Sequence, residues 1–230
     1  MIVTIDGPAG AGKSSISRGI AESLGYDFLD TGAMYRAVTL GAIRKGIALT
    51  DVDALVAYVG EVTFDWEDDR IILDGEDVTG AIRSPEVTQS IRHLADPPLI
   101  RSQLSRQQRR VAEGRDIVTE GRDQGTEVFP DASCKIFLTA SPEERARRRL
   151  SQLESAGHSA TFDEILAAQN QRDLEDRLRP VGRLRAASDA KVIQTDGMSP
   201  SDVHEAVLSA VKKCIAEASI QAPATPTPVS

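Results

Sequence analysis

The chain has 230 residues and 24.8 kDa, 40% hydrophobic and 27% charged, which suits one sizeable core and excludes a mostly disordered or fibrous chain. A formal charge of −8 argues against a general nucleic-acid binder, whose surface is basic. Two cysteines (Cys134, Cys214) and three scattered histidines (His93, His158, His204) leave no zinc spacing and no disulfide framework, and no run approaches the ~18 apolar residues of a membrane span.

Residues 1–6 form a short β-branched run that predicts a buried parallel strand. A glycine-rich turn over 7–12 follows. Ile16, Ile20 and Leu24 then recur every four positions and predict a helix over 13–24, stopped by Gly25. A second strand is expected over 26–29 and a second helix over 32–44. Residues 62–65 and 70–73 read as an antiparallel hairpin and break the rhythm, so residues 50–95 are expected to be a small insert. Further strands are expected at 117–119, 135–139 and 191–194. Ser141-Pro-Glu-Glu144 and Thr161-Phe-Asp-Glu164 are capping boxes that start helices, and Ser199-Pro200 opens a last helix to about 217. Short strands alternating with helices mean an open parallel α/β sheet. The Ala- and Pro-rich residues 219–230 predict a disordered tail. No basic-then-apolar segment opens the chain, and a cytoplasmic location is expected.

Gly7, Pro8, Ala9, Gly10, Ala11, Gly12, Lys13 and Ser14 match G-x-x-x-x-G-K-[ST] between a predicted strand and a predicted helix, with Ser15 next. Glycines let consecutive backbone N–H groups face one anion, and the helix start adds its positive dipole end. Lys13 would reach the β- and γ-phosphates, and Ser14 would hold Mg²⁺ through ATP. The motif implies a nucleoside triphosphate. No Asn-Lys-x-Asp segment is present to read guanine, so a GTPase is not expected.

The positive charge is unevenly spent: 21 Arg against 6 Lys, with 15 of the arginines between Arg101 and Arg185. Arginine's planar fork suits bidentate phosphate contacts, although Arg-rich codon usage and solvated helix faces would give a similar count. A kinase joining two anionic substrates needs arginines on both sides of the transfer.

Four segments in order resemble the bacterial cytidylate kinases of the nucleoside monophosphate kinase group, over nearly the whole chain except the tail. They are Thr4-Ile-Asp-Gly-Pro-Ala-Gly-Ala-Gly-Lys13, Leu29-Asp-Thr-Gly-Ala-Met-Tyr-Arg36, Gly121-Arg-Asp-Gln-Gly-Thr126 with Val128-Phe-Pro-Asp131, and Arg172-Asp-Leu-Glu-Asp176. The resemblance implies transfer of the ATP γ-phosphoryl to CMP or dCMP by a monomer acting on small molecules. It implies a P-loop three-layer α/β/α fold with a five-stranded parallel sheet. The core would comprise 1–49 and 96–218, the acceptor-binding insert 50–95 and a short helical lid 145–183.

By the same resemblance Arg36 and Arg122 hold the acceptor phosphate, and Arg101 and Asp123 contact cytosine. Arg145, Arg148 and Arg149 match lid arginines. Arg172, Asp176 and Arg179 share one helix face by their i, i+4, i+7 spacing. On that face Asp176 would accept from the acceptor ribose. Asp30 and Thr31 would lie near the acceptor phosphate. Lys13, Arg122, Arg145, Arg149 and Arg172 are the expected catalytic set. Glu120, Arg92 and the segment Pro180-Val-Gly-Arg-Leu184 depart from the family pattern, at the Mg²⁺ shell, the base contact and the lid flank. A UMP or AMP kinase, or a P-loop regulator that transfers nothing, is the competing reading.

Overall fold

The computed structural model describes residues 1–67, 70–155 and 157–221, without the side chains of 67 and 218–221. β1 (Ile2–Asp6) leads through the glycine turn into α1 (Lys13–Leu24), and β2 (Asp27–Asp30) runs straight into α2 (Thr31–Arg44). Residues 50–95, expected as an insert, hold α3 (Val52–Glu61), the antiparallel strands β3 (Phe64–Glu67), β4 (Arg70–Leu73) and β5 (Glu76–Asp77), a 3₁₀ turn at Ala81–Arg83, and two short helices, α4 (Pro85–Ser90) and α5 (Arg92–Ala95). After it come α6 (Pro98–Ala112), β6 (Ile117–Gly121), a π-helical turn at Gln124–Val128 and β7 (Cys134–Thr139). The chain then forms α7 (Pro142–Ser155), α8 (Phe162–Leu178), β8 (Lys191–Gln194) and α9 (Pro200–Gln221). Among the described residues no helix is long and apolar enough to cross a membrane.

The five strands expected from the sequence make one parallel sheet in the order β2-β6-β1-β7-β8. Alternation sorts its side chains into two layers. Val3, Ile5 and Val118 pack with Ile16, Ile20, Val207 and Val211, which places α1 and α9 on one face. Leu29 and Ile117 pack with Met34, Val38, Ile100 and Leu104, which places α2 and α6 on the other. The insert is stitched into this second cluster by Leu55, Val59, Ile71, Leu73 and Val87, so its inner surface is continuous with the core.

Several boundaries moved: the first hairpin strand lies at Phe64–Glu67 instead of 62–65, and the strand expected over 117–119 runs on to Gly121. The second strand lies one residue later than the apolar run suggested, because Asp30 serves as cap of α2, its side chain accepting from the Ala33 amide at 2.9 Å. The last helix continues through Gln221, past 217, and takes in the first residues of the expected tail. Residues 222–230, the remainder of that tail, lie outside the described residues.

Candidate active site

In an open parallel sheet, ligands bind beyond the carboxyl ends of the strands where the strand order reverses. Here that point is β1, flanked by β6 and β7. Asp6 pairs with Gly121 in register, so the phosphate loop and the Gly121-Arg122-Asp123 turn leave the sheet side by side. Gly7 marks the exit. A Cβ there would sit 2.0 Å from the Leu138 carbonyl oxygen, so only glycine lets the loop turn against β7.

Lys13 is buried, its Nζ donating to the Pro8 carbonyl at 2.9 Å and lying 3.9 Å from the Glu120 carboxylate. Burial pushes its ammonium down to about 7, with Arg122 adding repulsion and Glu120 partly offsetting it. Ser14 Oγ donates to Glu120 Oε1 at 2.6 Å. That hydroxyl and carboxylate are hard oxygen donors of the kind Mg²⁺ takes. Among the described residues no group of three or more His, Cys, Asp or Glu side chains could hold a metal ion, so a divalent cation here would draw most of its ligands from phosphate oxygens. The residues fit a metal carried by the nucleotide. Glu120, the departure from the family's aspartate, still reaches the Ser14 hydroxyl.

Ala9 to Gly12 lead into α1, whose first turn carries Ser15, and the loop is braced from behind. Arg145, only 2% exposed, donates to the Ala9 carbonyl at 2.9 Å and to Asp173 at 2.7 Å. The other arginines of α7 go elsewhere. Arg148 is held by Glu144 and the Thr195 carbonyl, Arg147 pairs with Glu144, and Arg149 is exposed with no hydrogen bond or ion pair among the described residues.

On the acceptor side the predicted residues converge, and most meet a carboxylate of the protein. Arg122 Nε donates to Asp176 at 2.9 Å, and Arg179 donates to Asp176 at 2.5 Å and to Asp96 at 2.8 Å. Burial alone would raise Asp176, but Arg122 and Arg179 hold it below the usual carboxylate range. Arg172 has no hydrogen bond or ion pair among the described residues; burial, then Arg122, lowers its pKa. Arg36 donates to Thr88 at 2.8 Å and lies in the field of Asp30, Arg83, Arg122 and Arg149. Asp30 is pushed up to about 6 by burial and by Glu120, and Thr31 donates to the Glu120 carbonyl at 2.7 Å. Arg83, which sequence reasoning passed over, joins this group from the insert; a lone exposed arginine in a turn carries no motif.

Arg101 and Asp123 form a buried ion pair. The Arg101 guanidinium also donates to the Ala95 carbonyl at 2.9 Å and lies over the Tyr35 ring, 5.4 Å from its centroid, while its Nε has no partner among the described residues. Its opposite face is covered by Gly182. A Cβ on Gly182 would lie 2.0 Å from the Arg101 terminal nitrogen, and the residue has a φ of +74°, so this position in the 180–184 segment favours glycine on both counts. The Gly182 amide donates to Glu127 at 2.8 Å. Glu127 and Gly182 were invisible as a pair in sequence because 55 residues separate them. Arg92 is ion-paired with Glu175 of α8.

The family model described as cytidylate kinase matches residues 3–213. A cytidylate kinase of Rhodopirellula baltica is 67% identical over 94% of this chain and 94% of that protein, and one of Mycobacterium leprae is 47% identical over 93% and 96%. An uncharacterized protein of Eubacterium ventriosum shares the fold at 12% identity, with a TM-score of 0.51 over 93% of this chain and 98% of that one. With the motifs, the cleft and its relatives in agreement, the chain belongs to the cytidylate kinase family.

Proposed function

We propose that the chain transfers the γ-phosphoryl group of ATP to CMP and dCMP, giving ADP and the cytidine diphosphates. The observation that carries the reading is the Asp6–Gly121 register, which sets a triphosphate-binding loop beside a turn bearing Arg122 and Asp123. A donor site and an anion-plus-base site that close together suit in-line transfer, where positioning and charge neutralisation supply the catalysis.

In this reading the loop amides and Lys13 hold the donor phosphates. Arg36 and Arg122 take the acceptor phosphate, with Arg172 and Arg149 available to the group in flight. Mg²⁺, held by Ser14 through ATP with Glu120 behind it, would neutralise charge on the β- and γ-oxygens. Arg101 and Asp123 offer donors beside an acceptor, the pattern complementary to cytosine's carbonyl, ring nitrogen and exocyclic amine. Asp176 accepts from the ribose hydroxyls. The reading includes a monomer working on small molecules.

The test is ADP formation from ATP and Mg²⁺ with CMP, dCMP, UMP and AMP offered separately. Turnover is expected with CMP and dCMP. ADP release that ignores the acceptor, or a higher kcat/KM with UMP or AMP, overturns the reading.

A further inference from the structure

Asp6 is the last residue of β1, immediately ahead of the phosphate loop, and it is buried at 4% exposure. Strand alternation turns Thr4 and Asp6 away from the Val3 and Ile5 face, toward the layer that holds the turn after Asp123. There Asp6 Oδ1 accepts from the Gln124 amide at 2.9 Å and Oδ2 from the Gly125 amide at 2.7 Å. Those two amides open the turn whose preceding residues are Arg122 and Asp123. Other contacts support the same turn, Arg109 donating to the Val128 carbonyl at 2.7 Å among them, but only Asp6 ties its first two amides to β1. A Cβ on Gly125 would lie 2.8 Å from Thr4 Oγ1, so the backbone rests directly on β1. Gln124 meanwhile reaches Thr119 at 3.0 Å and Gln108 at 3.2 Å.

A carboxylate buried this deeply is costly, and burial pushes Asp6 up to about 7 despite both amides. The two N–H groups meet separate oxygens, Oδ1 and Oδ2, so this arrangement uses both acceptors of one side chain. Aspartate supplies them at this length, whereas asparagine supplies one and sets an N–H against an N–H. We propose that Asp6 is a positioning residue, whose two oxygens fix the Arg122–Asp123 turn to the strand end that carries the phosphate loop. The acceptor phosphate and the base are thereby registered against the donor. The inference deepens the function proposed above and rests on it for the choice of acceptor.

The discriminating variant is Asp6→Asn, which keeps the volume and removes one acceptor. Displacement of a positioned group by ~1 Å lowers rates about 100-fold. The expected result is a fall of about 10- to 100-fold in kcat/KM for CMP, with the CMP-to-UMP ratio narrowed at least about threefold. Affinity for a fluorescent ATP analogue should stay within about twofold, since the loop amides are untouched. A variant that melts earlier yet keeps its CMP-to-UMP ratio would make Asp6 merely structural and overturn the proposal. Wild-type turnover measured alongside tests the function separately: if UMP proves the better acceptor, that reading falls, and loss of discrimination in Asp6→Asn still supports the positioning role. Should the variant not fold, amide exchange in the wild-type protein decides the matter. Gln124 and Gly125 should exchange slowly and slow further with CMP; exchange as fast as exposed loop amides, unchanged by CMP, would overturn the proposal.

Discussion

On the donor side of the cleft, Lys13 rests against a backbone carbonyl and a carboxylate 3.9 Å away, and the loop around it is held by Arg145 and by the close approach of Gly7 to β7. On the acceptor side Arg101, Arg122 and Arg179 are each matched to a carboxylate of the protein itself. The first region is built before its ligand arrives. The second stores part of its charge in ion pairs, and Arg122 would exchange Asp176 for a nucleotide phosphate. Asp176 is buried and Arg122 half-buried, and leaving that carboxylate unpaired is expensive, so Arg122 gives up Asp176 readily only when phosphate replaces it. Fast donor binding with acceptor-gated chemistry is the behaviour this difference favours.

Removing Lys13 breaks the donor half outright. Lys13→Ala should lower kcat about 100- to 1000-fold, the range for losing one preorganised donor to developing charge. Retention of more than about a tenth of wild-type turnover would sink the assignment. The same residue offers a measurement without mutation. With its ammonium pushed down to about 7, Lys13 is mostly neutral at pH 8 before ATP binds. The triphosphate favours the charged form, so ATP binding should take up about one proton at pH 8 and almost none at pH 6. Calorimetry in buffers of different ionisation enthalpy reads this directly, and Lys13→Ala should abolish it.

Local chemistry made much of the donor half legible in the sequence. A β-branched strand, a glycine turn with Lys13 and Ser14, and an apolar period of four are all contained in residues 1–24, and each specifies its own neighbour. The acceptor half was legible as a set of residues but not as pairings. Asp6 meets Gln124 across 118 residues, Arg122 meets Asp176 across 54, and Glu127 meets the Gly182 amide across 55. Such partners depend on sheet order and on the docking of α8, which no short pattern encodes. The crowded arginines of α7 show the same limit. Arg145 is a buried brace while Arg149 is exposed, although helical period alone treats both as candidates for one face.

The acceptor half can be sharpened at Asp123. Its carboxylate already accepts from Arg101, and cytosine's exocyclic amine can be received by a carboxylate but not by a donor. UMP puts a carbonyl at that place and leaves two acceptors opposed, which sites of this kind reject strongly. Asp123→Asn can donate, so kcat/KM for CMP should fall and the CMP-to-UMP ratio should narrow about tenfold. Arg101→Met should lower both acceptors together. Equal ratios in wild type and Asp123→Asn would move base recognition away from this pair.

The smallest effect is expected at Arg92, and it separates two roles for a residue that departs from the family. Arg92 is 53% exposed and its partner Glu175 38%, and the pair spans from α5 to α8. Arg179 and Asp96 span the same gap at 2.8 Å. Exposed ion pairs contribute little and are screened by salt. As a latch, Arg92→Ser should change KM for CMP and UMP in parallel, by about twofold at low salt, and the change should vanish near 0.5 M salt because the Debye length then falls to about 4 Å. As a base contact, it would shift the CMP-to-UMP ratio at any salt concentration. The ion pair with Glu175 turns the Arg92 head toward the lid, so the parallel, salt-sensitive response is the expected one; a salt-independent change in discrimination would return Arg92 to the base.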